Sequence, residues 1–283
     1  MSADITLKKL CIYHGNCLDG FAAAWAVHHS LAGDVEFYKG IHQNPPPEVD
    51  NRDIILVDFS YKKDVLEKML RTASSITILD HHISAADELE ELMAKGAIDG
   101  VFDMHQSGAM ITWHWFNQGQ PAPRLIEHIQ DRDLWRFRLD GTREITSALS
   151  SYPFDFEIWD KLMHASADEL AKLAIEGKAI ERKLQRDISE LIVSGVRRMK
   201  IAGYDVPVLN VPSAYVSDAG HLMSAGEPFA ACYWDHRDGR SFSLRSNSHD
   251  RNSINVADVA KKYGGGGHKN AAGFTVETGW EGE

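Results

Sequence analysis

The sequence predicts an α/β protein whose N-terminal part is built on a parallel sheet. Three short apolar, β-branched runs at 10–13, 54–57 and 76–79 are each typical of a strand that is buried on both faces. Helical patterns at 21–29 and 62–73 separate these runs, and Ser107 is expected to cap a further helix that runs to Phe116. Strands that alternate with helices imply right-handed crossovers, and therefore one parallel sheet with helices on both faces.

A second, smaller α/β domain is expected at the C-terminus. The chain has 283 residues, 43% of them hydrophobic, which exceeds the usual size of a single core. Ser166 and Glu169 form a capping-box pattern, and apolar residues recur at helical spacing from Leu170 to Ile192. We therefore predict an N-terminal domain at 1–165, a long connector helix at 166–195 and a C-terminal domain at 196–283.

Acidic and histidine side chains follow each of the three predicted strands. The carboxyl ends of parallel strands meet at one edge of the sheet, so these side chains should converge there. Neighbouring carboxylates in a cleft resist ionisation without a counter-charge, which predicts a divalent cation. Oxygen-rich sites with one or two imidazoles favour Mn²⁺ or Mg²⁺ over Zn²⁺. The alternative is that the aspartates cap the following helices. The residues concerned are His14, Asp19, Asp58, Asp80, His81 and His82.

A run of four glycines at 264–267 precedes His268 and Lys269. Consecutive glycines cost backbone entropy, so the run indicates a place where the backbone approaches a ligand closely. Exposed N–H groups in such a segment can bind an anion, and the next two side chains add donors and positive charge. A flexible linker is the alternative, but the strand-like segment at 271–276 follows directly.

Several motifs together carry a family resemblance. They are the segments 13–21 (YHGNCLDGF), 57–58 (VD), 80–82 (DHH), 130–135 (QDRDLW) and 264–274 (GGGGHKNAAGF). With these motifs in this order, the chain resembles the DHH phosphoesterase superfamily with its C-terminal DHH-associated domain. The resemblance implies a metal-binding catalytic domain at 1–165 and a substrate-binding domain at 196–283. It also implies hydrolysis of phosphodiester or phosphoanhydride bonds with Mn²⁺ or Mg²⁺, with two ions expected.

The resemblance also assigns roles to particular residues. The metal ligands would be His14, Asp19, Asp58, His81 and one of Asp131 or Asp133. We choose Asp131 because it follows the apolar segment 125–129 more closely than Asp133 does. Asp58 would bridge the two ions, and Asp58, Asp80 and His82 would take part in catalysis. The substrate-binding residues would be His82, Arg245, Gly265, Gly266, Gly267, His268 and Lys269.

The first motif departs from the family pattern at one position. The family usually has two aspartates two residues apart, whereas here Cys17 stands two residues before Asp19. A thiolate is a softer ligand than a carboxylate and suits Mn²⁺ or Mg²⁺ poorly. We therefore expect one of the two ions to bind weakly. The alternative is that Cys17 is a small loop residue without a ligand role.

The formal net charge of −11 constrains the substrate. Proteins that track long nucleic acids usually carry a basic groove, and this chain has no large basic block. We therefore expect a phosphodiesterase that acts on short oligonucleotides or small nucleotides. One alternative is an exonuclease that acts on longer single-stranded DNA or RNA. The other is a nucleotide-binding protein that has lost turnover through Cys17. A pyrophosphatase is disfavoured, because the glycine-rich signature resembles the phosphodiesterase branch.

Cysteine usage and hydropathy give an expectation for the compartment. The three cysteines form no even framework of disulfide partners, which favours a reducing environment. There is no N-terminal signal pattern and no apolar run near the ~20 residues needed to span a bilayer. We expect a cytoplasmic location and no membrane partner, and nothing in the sequence specifies an oligomeric interface.

Overall fold

The computed structural model describes residues 8–15, 17–32, 34–42, 44–247, 250 and 253–283. Asn16 of the first motif lies outside this part of the chain. The chain divides into two compact units, Met1–Glu181 and Arg182–Glu283. Within the described residues, no helix is both long enough and apolar enough to cross a bilayer.

The first unit contains a five-stranded parallel sheet. Its strands are β1 (Lys9–His14), β2 (Val35–Gly40), β3 (Asp53–Val57), β4 (Ser75–Asp80) and β5 (Asp99–Phe102), in the spatial order β2-β1-β3-β4-β5. The strands β1, β3 and β4 are the three that the apolar runs predict. In the register of the sheet Val57 pairs with both Tyr13 and Leu79. The carboxyl ends of the three predicted strands therefore lie side by side.

Helices cover both faces of this sheet, as predicted. They are α1 (Leu18–Leu31), α2 (Lys63–Met69), α3 (Ile83–Ala94), α4 (Gly108–Phe116), α5 (Arg124–Asp133), α6 (Thr142–Leu149) and α7 (Phe156–Met163). Successive strand residues point to opposite faces. Ile55 and Val57 accordingly pack in one core with Trp25, whereas Ile54 and Leu56 pack in the other. Burial on both faces explains why these strands are continuous apolar runs.

The long helix α8 spans Ala167–Gly195. The predicted capping box is present at its start: the backbone N–H of Ser166 donates to Glu169 Oε2 over 2.7 Å, and the N–H of Glu169 donates to Ser166 Oγ over 3.4 Å. Leu170 and Leu173 belong to a core of the first unit, and Ile188 belongs to a core of the second. At 1.5 Å per residue the helix is roughly 44 Å long.

The second unit contains a six-stranded mixed sheet. Its strands are β6 (Arg197–Ile201), β7 (Tyr204–Asn210), β8 (Ala230–His236), β9 (Gly239–Arg245), β10 (Gly266–His268) and β11 (Ala271–Val276), in the order β10-β11-β9-β8-β7-β6. Only the pair β7–β8 is parallel among these described strands. The helices α9 (Val216–Met223) and α10 (Val256–Lys261) accompany the sheet. This is the smaller α/β domain that the sequence predicts.

Candidate metal centre

Asp58 is the central residue of a cluster of acidic and histidine side chains at the carboxyl ends of the strands in the first unit. It directly follows β3 and is 2% exposed. Its Oδ2 lies 3.3 Å from His14 Nδ1, at the end of β1, and its Oδ1 lies 3.1 Å from His81 Nε2, after β4. The structure thus brings together residues from three neighbouring strands, as the topological argument predicts.

Two glycines allow the backbone segments of the cluster to approach closely. A Cβ atom at Gly108 would lie 2.4 Å from the Cβ of Asp58, and one at Gly20 would lie 2.3 Å from the carbonyl oxygen of His14. Both distances are far below contact, so any side chain there would displace the backbone. Asp58 itself has a φ of 52°, a left-handed conformation that costs energy for a residue with a side chain. The close packing around Asp58 holds this strained geometry.

The N-terminus of α4 positions Asp19. The backbone N–H groups of Gly108 and Ala109 donate to the two carboxylate oxygens of Asp19 over 2.7 and 3.2 Å. The predicted cap of this helix is confirmed, because Ser107 Oγ accepts from the N–H of Met110 over 3.3 Å. Asp19 is 1% exposed, and its Oδ2 lies 3.9 Å from Nε2 of His81. Asp19 therefore joins the same cluster as Asp58.

The structure distinguishes between Asp131 and Asp133, the two candidate ligands in the segment 130–135. Asp133 Oδ2 lies 3.6 Å from Nε2 of His81. The carboxylate of Asp131 instead accepts from the N–H groups of Arg138 and Leu139 over 2.8 and 3.0 Å, and from Thr142 Oγ1 over 2.7 Å. Asp131 is thus engaged in closing the turn after α5. This geometry favours Asp133 as the ligand, the reverse of the choice made from the sequence.

The ligand atoms form overlapping groups, in each of which all atoms lie within 4.8 Å of one another. One group combines His14, Cys17 and Asp58, and another combines Asp19, His81 and Asp133. His81 also belongs to a third group, with Asp58, Asp80 and His82. Asp58, a member of the first group, contacts the second group through His81.

A hydrogen-bonded chain positions His82. Nδ1 of His82 lies 2.7 Å from Asp80 Oδ1, and Ser60 Oγ donates to Asp80 Oδ2 over 2.6 Å. Burial opposes the negative charge of Asp80, but the charge of His82 and its hydrogen bond hold the pKa of this carboxyl below its usual range. Asp80 thus orients the ring of His82. The sequence motifs do not mark Ser60, which lies in the loop after β3.

The buried carboxylates carry charge that needs compensation. Burial raises the pKa of Asp19 well above its usual value, and the charge of Asp58 adds to this shift. Burial opposes the charge of Asp58 as well, yet hydrogen bonds with His14 and His81 hold its pKa well below normal. Burial disfavours protonated His81, but the hydrogen bond to Asp58 raises its pKa to about 10.

These residues fit a divalent cation. The imidazoles of His14 and His81 supply positive charge beside Asp58. A metal ion would supply it instead and bind neutral histidine together with carboxylate oxygens. Asp19, Asp58, His81 and Asp133 offer the oxygen-rich donor set that suits Mn²⁺ or Mg²⁺.

Apart from His82, the predicted substrate-binding residues lie in the second unit. Arg245, at the end of β9, is half-buried, and its guanidinium donates to Ser243 Oγ, to the carbonyl of Leu244 and to Ser217 Oγ over 2.8–3.0 Å. Ala271, the first residue of β11, pairs with both Arg245 and His268. Arg245 is therefore close in the sheet to the glycine-rich segment.

The glycine run has a packing role. A Cβ at Gly265 would lie 2.0 Å from the carbonyl oxygen of Gly273. Gly267 has a φ of 140°, and a Cβ there would lie 2.6 Å from the carbonyl oxygen of Ala271. Gly266–His268 form the strand β10, so the linker alternative is wrong. The tight approach of β10 to β11 accounts for Gly265 and Gly267, and the ligand role predicted for Gly265, Gly266, Gly267, His268 and Lys269 stays a prediction.

Sequence comparison identifies a related viral protein. No family model matches the chain. Among curated proteins, the uncharacterized protein R106 of Acanthamoeba polyphaga mimivirus is 30% identical over 289 residues, which cover 93% of this chain and 66% of that protein. This chain thus spans slightly less than two thirds of the length of that relative.

Two solved structures share the architecture. The pGpG-specific phosphodiesterase PggH of Vibrio cholerae is 16% identical with a TM-score of 0.52, over 95% of this chain and 93% of that one. RecJ of Thermus thermophilus in complex with Mn²⁺ is 15% identical with a TM-score of 0.54, over 96% of this chain and 50% of that one. The chain therefore shares its fold with these two structures, a DHH phosphoesterase-like fold as its motifs predict.

Proposed function

We propose that the protein is a divalent-metal-dependent phosphodiesterase that hydrolyses short oligonucleotides or related small nucleotides. The observation that carries this proposal is the placement of Asp58 between His14 and His81, with Asp19 and Asp133 beside them. The fold shared with PggH and RecJ supports the same reaction class.

The candidate metal ligands fall into two groups according to which ligand atoms lie close together. Asp19, His81 and Asp133 would hold one ion, His14 and Cys17 would hold a second, and Asp58 would contribute to both. The ions, which we propose to be Mn²⁺ or Mg²⁺, would supply the Lewis acidity that activates water and offsets charge on the phosphoryl oxygens.

His82 is the proposed contact for the phosphoryl group. Because Asp80 holds Nδ1 of His82 over 2.7 Å, we assign the contact with a phosphoryl oxygen to Nε2. Asp80 and Ser60 fix the ring, so the ring is oriented before substrate binds, and preorganised donors are worth more than mobile ones. Asp80 is thus a positioning residue, and His82 is the residue that touches the substrate.

The second unit is proposed to bind the rest of the substrate. A guanidinium can bind a phosphate through two parallel hydrogen bonds, which suits Arg245. Backbone N–H groups at 265–267, together with His268 and Lys269, would add further donors. The net charge of −11 favours short substrates over long ones, since long nucleic acids need an extended basic surface. Since Cys11, Cys17 and Cys232 are all free thiols, we propose a reducing compartment such as the cytoplasm.

Hydrolysis of end-labelled RNA and DNA of two to twenty-four nucleotides tests the proposal. Reactions would contain Mn²⁺, Mg²⁺ or a chelator, beside the variant Asp58→Ala. We expect metal-dependent cleavage that is fastest on the shortest substrates and absent in the variant, which should keep its fold by circular dichroism. Equal rates on all lengths would indicate a single-strand exonuclease. Metal binding without cleavage of any strand would refute oligonucleotides as substrates and favour either small nucleotides such as bisphosphates or the nucleotide-binding protein without turnover.

A further inference from the structure

The side chain of Cys17 lies among the candidate metal ligands. It is the residue before α1, at the N-cap position, but its side chain makes no capping hydrogen bond. Its Sγ lies within 4.8 Å of ligand atoms of both His14 and Asp58. Of the three cysteines, only Cys17 lies in such a cluster within the part of the chain that the structure describes.

The two groups of ligands around Asp58 differ in chemical softness. The group of Asp19, His81 and Asp133 presents two carboxylates and one imidazole. The group of His14, Cys17 and Asp58 presents one nitrogen, one sulfur and one oxygen donor. Thiolate ligands favour Zn²⁺ and later transition metals, whereas Mg²⁺ demands oxygen ligands. The two positions of one centre should therefore select different metals.

We propose that His14, Cys17 and Asp58 form a position selective for a thiophilic divalent ion, such as Zn²⁺, Co²⁺ or Fe²⁺, bound through the Cys17 thiolate. The neighbouring position of Asp19, Asp58, His81 and Asp133 takes Mn²⁺ or Mg²⁺. The inference rests on the metal centre of the proposed function, but not on its substrate. It replaces the expectation of a weak second Mn²⁺ or Mg²⁺ ion with that of a tightly bound ion of another kind.

Cobalt substitution reports on the sulfur ligand directly. The metal-free full chain is titrated with Co²⁺, and absorption is followed in the near ultraviolet, where a thiolate bound to Co²⁺ gives an intense charge-transfer band. We expect this band in the wild-type protein and in Cys232→Ala, whose substitution lies in the second unit. We expect no band in Cys17→Ser or Cys17→Asp. The band in the wild-type protein needs no variant, so a variant that fails to fold does not obscure the result.

Metal affinities provide the second readout. Equilibrium dialysis should show Zn²⁺ binding to Cys17→Ser at least about tenfold more weakly than to the wild-type protein, because even residues that only support metal ligands contribute that much. Cys17→Asp should bind Mn²⁺ at both positions. Co²⁺ binding without a charge-transfer band, or a band that persists in Cys17→Ser, would overturn the inference.

The outcomes separate this inference from the proposed function. A charge-transfer band in a protein that cleaves no nucleotide would support the thiolate position and refute the function. Cleavage with Mg²⁺ alone, at full rate and with two Mg²⁺ ions bound per chain, would support the function and refute the thiolate position.

Discussion

The two acids of the segment 130–135 give a prediction that separates metal binding from folding. Asp131 and Asp133 are two residues apart, yet the first accepts three hydrogen bonds from its own turn and the second lies beside His81. The substitutions Asp131→Asn and Asp133→Asn are matched in size and in charge. They should therefore have opposite effects on stability and on metal affinity.

The expected loss of stability in Asp131→Asn follows from its hydrogen bonds. Two backbone N–H groups and a hydroxyl donate to this carboxylate, which is 5% exposed. An asparagine loses the charge and directs an NH₂ group at one of these donors. Hydrogen bonds to charged groups are worth about 1.5–3 kcal/mol each, so we expect a loss of about 3 kcal/mol. The melting temperature should fall by roughly 6–12 °C.

Asp133→Asn should leave the metal-free protein as stable as the wild type. The Asp133 side chain is 27% exposed, and its replacement removes a like charge from beside Asp19. A metal present at 100 times its Kd stabilises a protein by about 2.7 kcal/mol. A tenfold weaker Kd lowers this stabilisation to about 1.4 kcal/mol, so the metal-induced rise in melting temperature should shrink by roughly 3–5 °C.

The melting temperatures of both variants, measured with chelator and with Mn²⁺, test this prediction. Asp131→Asn should melt early in both conditions and keep the full metal-induced rise. Asp133→Asn should melt normally with chelator and lose about half of the rise. If Asp131→Asn instead abolished the metal-induced rise and Asp133→Asn preserved it, the assignment from the structure would be refuted and the choice made from the sequence restored.

Three further predictions concern the geometry of the site. Gly108→Ala should lower kcat/KM about a hundredfold, because the new Cβ would lie 2.4 Å from that of Asp58. An unchanged rate would show that the backbone shifts without disturbing Asp58. Ser60→Ala should lower kcat about tenfold with little change in KM, because Asp80 loses the 2.6 Å hydrogen bond from Ser60, and an equal change in both constants would contradict this role. Arg245→Lys should raise KM several-fold with kcat retained, since a lysine cannot bind phosphate through two parallel hydrogen bonds; a KM equal to that of the wild type would exclude a phosphate contact.

The sequence predicts the central strands and misses the edges of the sheet for a physical reason. Strands β1, β3 and β4 are buried on both faces and are therefore continuous apolar runs. Strand β2 includes the exposed Glu36, and β5 begins with Asp99 and Gly100. A Cβ at Gly100 would lie 1.8 Å from the carbonyl oxygen of Ile78, so packing against β4 requires this glycine. Edge strands of this kind carry no apolar pattern that would identify them.

The convergence of His14, Asp58 and His81 follows from topology alone, but the choice between Asp131 and Asp133 does not. That choice depends on the turn after α5, where Trp135 and Phe137 have positive φ values of 55° and 49°. Residues of these types rarely adopt this conformation, so no sequence pattern predicts the turn.

The charge of the cluster leads to a final prediction about substrate binding. Four aspartates lie around His81, and a phosphodiester is itself an anion. Two like charges 4 Å apart repel by about 4 kcal/mol at an effective dielectric constant near 20. Without metal ions the imidazoles of His14 and His81 offset only part of this negative charge, so the cluster should repel the substrate that it is proposed to cleave. The aspartates are Asp19, Asp58, Asp80 and Asp133.

Metal removal should consequently weaken substrate binding as well as abolish turnover. A fluorescent, non-hydrolysable phosphorothioate dinucleotide should bind in the presence of Mn²⁺ and lose at least about a hundredfold in affinity with chelator, which corresponds to about 2.7 kcal/mol. With chelator present, the variant Asp58→Asn, which removes one of the charges, should bind this dinucleotide more tightly than the wild-type protein does. Equal affinity with and without metal would show that the second unit, through residues such as Arg245, holds the substrate by itself. The cations would then serve the chemical step and not the recognition of the phosphate.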